Sequence, residues 1–163
     1  MFTRVCVVTA VIALLISCSA LGRVDCEGHF VYNEASFTDE QQLWIQESSE
    51  RWNTWVGHPV TFVHPGSTGI CTIDKGAAGG EHIGLEMGWT QNIIIDVDAL
   101  QQLKTLDRAH FEGVAMHEMG HALGYVHVGA PGTALMSAAC ALDFTEIDRE
   151  QCVARGMCSK SSE

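Results

Sequence analysis

Apolar positions along this chain follow two different periods. From Trp44 through Ile45, Trp52 and Trp55 to Val56 they recur at steps near three and four, which lines one side of a helix. Thr38-Asp39-Glu40-Gln41, just ahead, has the form of a capping box, so the helix is expected to start there; Gly57 and Pro59 end it. The three tryptophans read as core residues. Shorter apolar runs flank this helix. His29 to Asn33 precedes it, and Val60 to His64 and Ile70 to Asp74 follow, separated by the turn Pro65-Gly66-Ser67. A glycine-rich loop, Gly76 to Gly80, leads to two more strands, His82 to Met87 and Asn92 to Val97. In the second of these, Ile93, Ile94 and Ile95 are apolar on both faces, as in a central strand. A second long helix is expected from about Asp107 to Tyr125. After the turn-rich stretch Pro131 to Asp143, a last helix opens at Thr145 and runs to about Arg155. This order of elements describes an α+β fold, a mixed sheet with helices packed on it, in one domain.

Composition agrees with a folded domain. The 163 residues are 47% apolar and 18% charged, and a chain of this size can bury a core without a partner; a monomer is expected. Nine Lys and Arg stand against 20 Asp and Glu, a net charge of −11, and the basic residues are scattered. No electrostatic footprint for nucleic acid exists, and the acidity reads as solubility. The first residues resemble an export signal: Arg4, then an apolar run from Val5 to Ile16, too short to span a bilayer, then Ser17, Cys18, Ser19 and Ala20. Leu15-Ile16-Ser17-Cys18 is similar to the lipobox of bacterial lipoproteins. Residues 1–17 would then be the signal and 18–163 the mature catalytic domain, anchored to a membrane through an acylated Cys18. Cleavage after Ala20 or Gly22 is the alternative and would release a secreted protein. Of seven cysteines, Cys26, Cys71, Cys140, Cys152 and Cys158 remain for pairing, enough for two disulfides and one thiol. Loop entropy favours a bridge among the last three.

The chemistry lies in residues 117–127, His-Glu-Met-Gly-His-Ala-Leu-Gly-Tyr-Val-His. Residues four apart on a helix share a face, so His117 and His121 can present their rings to one ion. Gly124 allows a sharp turn through positive φ, after which the chain can bring His127 to the same ion. Three neutral imidazoles leave a fourth position of a zinc ion (Zn2+) open to water, the arrangement of a catalytic site. Glu118, next to the first ligand, is placed to take the proton of the zinc-bound water and pass it to a leaving amine. The pattern has five fixed positions, three of them the uncommon histidine, so chance in a chain this long is roughly one in 10^5.

The segment HExxHxxGxxH resembles the metzincin zinc peptidases. The likeness extends to Thr133-Ala134-Leu135-Met136-Ser137, in which Met136 stands nine residues after His127, where that family has a methionine turn beneath the zinc. The resemblance implies a metzincin-like fold, with a mixed twisted sheet, two long helices and a small C-terminal subdomain ending in a helix. It also implies a zinc endopeptidase acting on protein or peptide. Short length and the lead-in Val114-Ala115-Met116-His117 are most similar to the matrixins. The chain departs from them at Val128, where matrixins usually carry Ser, and no tyrosine closely follows Met136 as in astacins and serralysins. Matrixin signatures for structural zinc and calcium are absent.

Two other functions use the same residues: a metzincin-fold binding module without activity, and a zinc hydrolase of a non-peptide amide. Glu118 favours an enzyme over the first. Residues Gly80 to Met87 are the candidate cleft-bordering strand, able to take an extended peptide by strand addition, and the loop from Gly129 to Phe144 is the candidate pocket wall. His29, His58, His64, His82 and His110 read as structural or surface residues, with a second metal group of His64 or His82 and Asp74 as the lesser reading. Asp96 and Asp98 read as the polar end of a strand. Between Cys18 and the first strand no propeptide can be fitted, and Cys26 is the only N-terminal candidate for a thiol that could block the zinc.

Overall fold

A computed structural model describes residues 26, 28–56, 62–65, 71–79, 83–87, 92–137 and 142–154. Along them run β1 (His29–Tyr32), α1 (Asp39–Val56), β2 (Phe62–Pro65), β3 (Cys71–Lys75), β4 (Gly84–Met87), β5 (Asn92–Ile95), α2 (Val97–Gln102), α3 (Arg108–Ala122) and α4 (Glu146–Ala154). The signal segment, the lipobox with Cys18, Cys140, Cys158, the Gly57 and Pro59 stop, and the second metal group through His82 or the His64 side chain all lie outside the described residues.

The sheet has the order β2-β1-β3-β5-β4. Its first four strands are parallel, with Phe30 beside Val63 and Cys71, and Ile73 beside Ile93, whereas β4 runs antiparallel to β5 at one edge. The protein is therefore a mixed α+β fold, as the element order anticipates. The capping box that starts α1 is present: Gln41 N–H donates to Thr38 Oγ1 (3.3 Å) and Thr38 N–H to Gln41 Oε1 (3.1 Å). Helix α1 packs along α3, and α3 in turn lies against β4 and β5. Trp52 lies fully buried between these layers, surrounded by the rings of Trp55, Tyr125 and Phe144, and its Nε1–H donates to Met116 O (3.0 Å).

Three expectations are corrected. Val97 does not end a strand but begins α2, a helix the apolar pattern does not announce. Asp96 stops β5 at Ile95 and caps this helix, its carboxylate accepting from Ala99 N–H (2.8 Å) and Ala78 N–H (3.1 Å). Asp98 is likewise helical and pairs with Lys75 (2.9 Å). The second correction concerns Cys26, which forms a disulfide with Cys71 and is not a free thiol. That bridge closes 45 residues of chain, which the loop-entropy relation values at about 4 kcal/mol. Cys152 is also disulfide-bonded. Third, the long helix ends at Ala122, three residues early, for a reason that builds the site. Among the described residues no helix is long and apolar enough to cross a membrane.

Candidate metal centre

Helix α3 is buried on nearly every side, Phe111 to Gly120 without a break. Polar side chains are costly in such a position unless partnered, and α3 carries three: Glu112, His117 and Glu118. Glu112 is structural. Arg51 (2.9 Å) and Arg108 (2.5 Å) clamp its carboxylate, and Arg51 also reaches Asp143 (2.6 Å), tying α1 and α3 to the segment before α4. His117 and Glu118, each 6% exposed, belong to the site.

Asp107 begins α3 by accepting from His110 N–H (3.0 Å), and a Schellman motif ends it. Gly124 takes φ 85°, its N–H donates to His121 O (2.8 Å), and Tyr125 N–H donates to Gly120 O (2.8 Å). The turn that the sequence placed at Gly124 is thus present, and it serves two purposes. It reverses the chain so that His127 comes back toward the helix. It also aims Tyr125 O at His121, whose Nδ1 lies 3.0 Å from that oxygen. His117 has an equivalent partner in Leu135 O, 2.6 Å from its Nδ1.

A carbonyl oxygen only accepts, so both Nδ1 atoms carry hydrogen, and the Nε2 of each neutral ring is left with a bare lone pair. Those two lone pairs face one another at 3.0 Å, and His127 Nε2 stands 3.2 and 3.1 Å from His117 and His121. No hydrogen bond can form between two acceptors, so the arrangement calls for a cation. A tetrahedral ion with bonds of 2.0 to 2.1 Å separates its ligand atoms by roughly 3.3 to 3.4 Å, close to what the three nitrogens already adopt. The group can therefore bind a metal ion, with the His117 and His121 rings fixed from behind by main-chain oxygens.

Electrostatics favour the same state. Burial, and next the neighbouring ring of His121, push the His117 pKa down to about 3. Burial also lowers His121 to about 4, against the opposing effect of its bond to Tyr125 O. His127, exposed on its outer side, is lowered as well by the part of the ring that is enclosed. All three are neutral at physiological pH, the form that coordinates metal.

Met136 is fully buried and packs against α3 at Gly120. A Cβ on Gly120, between His117 and His121, would stand 2.9 Å from Met136 Cε and 3.0 Å from Trp52 Cζ2, and closer still to the Met136 sulfur. Glycine is what lets the segment carrying Met136 reach the helix. On the opposite side, a Cβ on Gly84 of β4 would lie 2.5 Å from Glu118 Oε1 and 2.8 Å from Val114 Cγ1, so the edge strand passes directly against the Glu118 carboxylate.

Sequence reasoning missed the residue that organises the far side. Asp148, in α4 and fully buried, accepts from Leu135 N–H and Met136 N–H (2.9 Å each) and from the N–H (2.9 Å) and hydroxyl (3.0 Å) of Thr145. The pattern Thr145-x-x-Asp148 marks a helix start, and that signal was available; the reach to Leu135, and through its carbonyl to His117, was not. No protein-family model matches the chain, and no curated protein matches it at a significant level.

Proposed function

We propose that the chain is a zinc-dependent endopeptidase of metzincin-like build, in which His117, His121 and His127 hold the ion and Glu118 handles the proton. The single observation that carries this reading is the convergence of three histidine Nε2 atoms at 3.0 to 3.2 Å with a buried carboxylate on the adjoining residue. Three nitrogen ligands, with no fourth side chain beside them among the described residues, are the set of a catalytic rather than a structural zinc. When bound, zinc would supply Lewis acidity, lowering the pKa of water to about 7 and polarising a carbonyl. Glu118 Oε1 or Oε2 accepts a proton from the attacking water as its oxygen bonds to the scissile carbonyl carbon. The same carboxyl then returns the proton to the amide nitrogen as the C–N bond breaks. Strand β4, antiparallel and at the sheet edge beside Glu118, suits an extended peptide bound by strand addition.

Export to an oxidising compartment, free or through a lipid on Cys18, belongs to the same reading, and the disulfides at Cys26, Cys71 and Cys152 support it. The test is to incubate the purified chain with a mixed peptide library and read cleavage by mass spectrometry, with and without chelator. Glu118→Gln should keep its zinc and lose turnover by about 10²-fold or more. Undiminished cleavage by that variant would refute the role given to Glu118, and a zinc-loaded chain that cleaves nothing would refute the peptidase reading.

A further inference from the structure

We infer that Gln151 is a positioning residue for the third metal ligand, an inference that rests on the metal-binding reading of the histidines. His127 lies beyond the end of α3 and is exposed, so the burial that fixes His117 does not fix it. What fixes it is the main chain on either side. Val128 N–H donates to Met136 O (2.8 Å) on one side. On the other, the side-chain amide of Gln151 takes both main-chain groups of Val126: its Oε1 accepts from Val126 N–H (2.9 Å) and its Nε2 donates to Val126 O (3.0 Å).

This paired contact reproduces what a neighbouring strand would offer. It acts at a residue that burial holds little, since Val126 is 57% exposed. Gln151 stands three residues after Asp148, which holds the N–H of Met136, and residues three apart share a helix face. One face of α4 thus grips the chain on both sides of His127, at Val126 and at Met136, without supplying a ligand. A ligand held beforehand loses less conformational freedom when the ion binds, so the clamp adds to affinity.

The test compares Gln151→Met, which keeps the volume and loses both bonds, with Gln151→Glu, which keeps only the acceptor for Val126 N–H. Arg149→Ala is the control, since Arg149 lies on the same helix but rests over the Trp55 ring, 5.4 Å from its centre. Zinc affinity is measured by chelator competition on the full chain, and cobalt substitution reports the coordination sphere through its visible absorption. Gln151→Met should bind zinc roughly tenfold more weakly and alter the cobalt spectrum, Gln151→Glu should fall between, and Arg149→Ala should bind as the unaltered chain does. Unchanged affinity and spectrum in Gln151→Met, or an equal loss in Arg149→Ala, would overturn the inference. An unaltered chain that binds no zinc would overturn the metal reading and this inference together. One that binds zinc but cleaves no peptide would overturn only the peptidase reading, and the affinities would still decide here.

Discussion

Replacing Gly120 by Ala tests whether Met136 is packed against α3 as tightly as described. In the middle of an exposed helix the change stabilises by about 1 kcal/mol, because Gly has more chain entropy to lose. At 120 the sign should reverse. The new methyl would stand 2.9 Å from Met136 Cε and 3.0 Å from Trp52 Cζ2, where carbons rest at about 3.5 to 4.0 Å, an overlap of about half an ångström or more on two sides. Neither neighbour can withdraw easily. Both are fully buried, so the Met136 thioether has to move within a filled interior, and Trp52 is tied to Met116 O (3.0 Å). Overpacking of this kind costs about 1 to 3 kcal/mol, and contacts this close on two sides belong to the upper part of that range, so a net loss approaching about 2 kcal/mol is expected once the helix gain is subtracted. For a chain of this size that is roughly 2 to 4 °C in Tm per kcal/mol. Thermal melts of the metal-free protein measure it, within a double-mutant cycle that includes Met136→Ala. With the Met136 side chain shortened, the nearest obstacles to the methyl are gone, and Gly120→Ala should become neutral or stabilising, a coupling of about 1 kcal/mol or more. If Gly120→Ala melts at or above the unaltered chain while Met136 is intact, the close packing behind the site is refuted.

Gly84→Ala should separate catalysis from metal binding: its methyl would displace the Glu118 carboxylate, so kcat falls at least about tenfold while zinc stays bound, and equal losses in zinc affinity and kcat would contradict this. Asp148→Asn should lower stability by about 2 to 3 kcal/mol, because an amide cannot accept from all four donors now satisfied and must turn N–H groups toward them. Chemical denaturation checks it, and a loss below about 0.5 kcal/mol would contradict it. Asp107 gives a pH dependence. The His110 N–H bond holds its carboxyl below the usual 3.8, so its stabilisation of α3 is present above that value and is lost as pH falls through and below it. Asp107→Asn, which caps without charge, should flatten this part of an acid titration of stability; an unchanged profile would count against the cap.

The local signals in this sequence were informative because each acts over a few residues. The Thr38 and Gln41 box, the period of Trp52 and its neighbours, and the positive φ of Gly124 depend only on adjacent chain, and all are present. His117, His121 and His127 converge because helix spacing and one turn suffice to bring them together. Helix α2 went unseen because its start is a single capping bond to Asp96 after a run of isoleucines, which the strand pattern dominates. The supports of the site went unseen for a different reason. Asp148, Gln151, Gly84 and Gly120 act through contacts with residues on other elements, and nothing near them in the chain reveals which element that will be.

The central claim is that the three histidines form one metal site, and zinc stoichiometry tests it most directly. Metal analysis of the purified chain should find one zinc per molecule, removed by a chelator and restored by adding zinc. In His127→Ala the ligand set falls to two, and the bound zinc should drop well below stoichiometric under the same conditions. A chain without zinc, or a His127→Ala variant that retains it with undiminished affinity, would contradict the account.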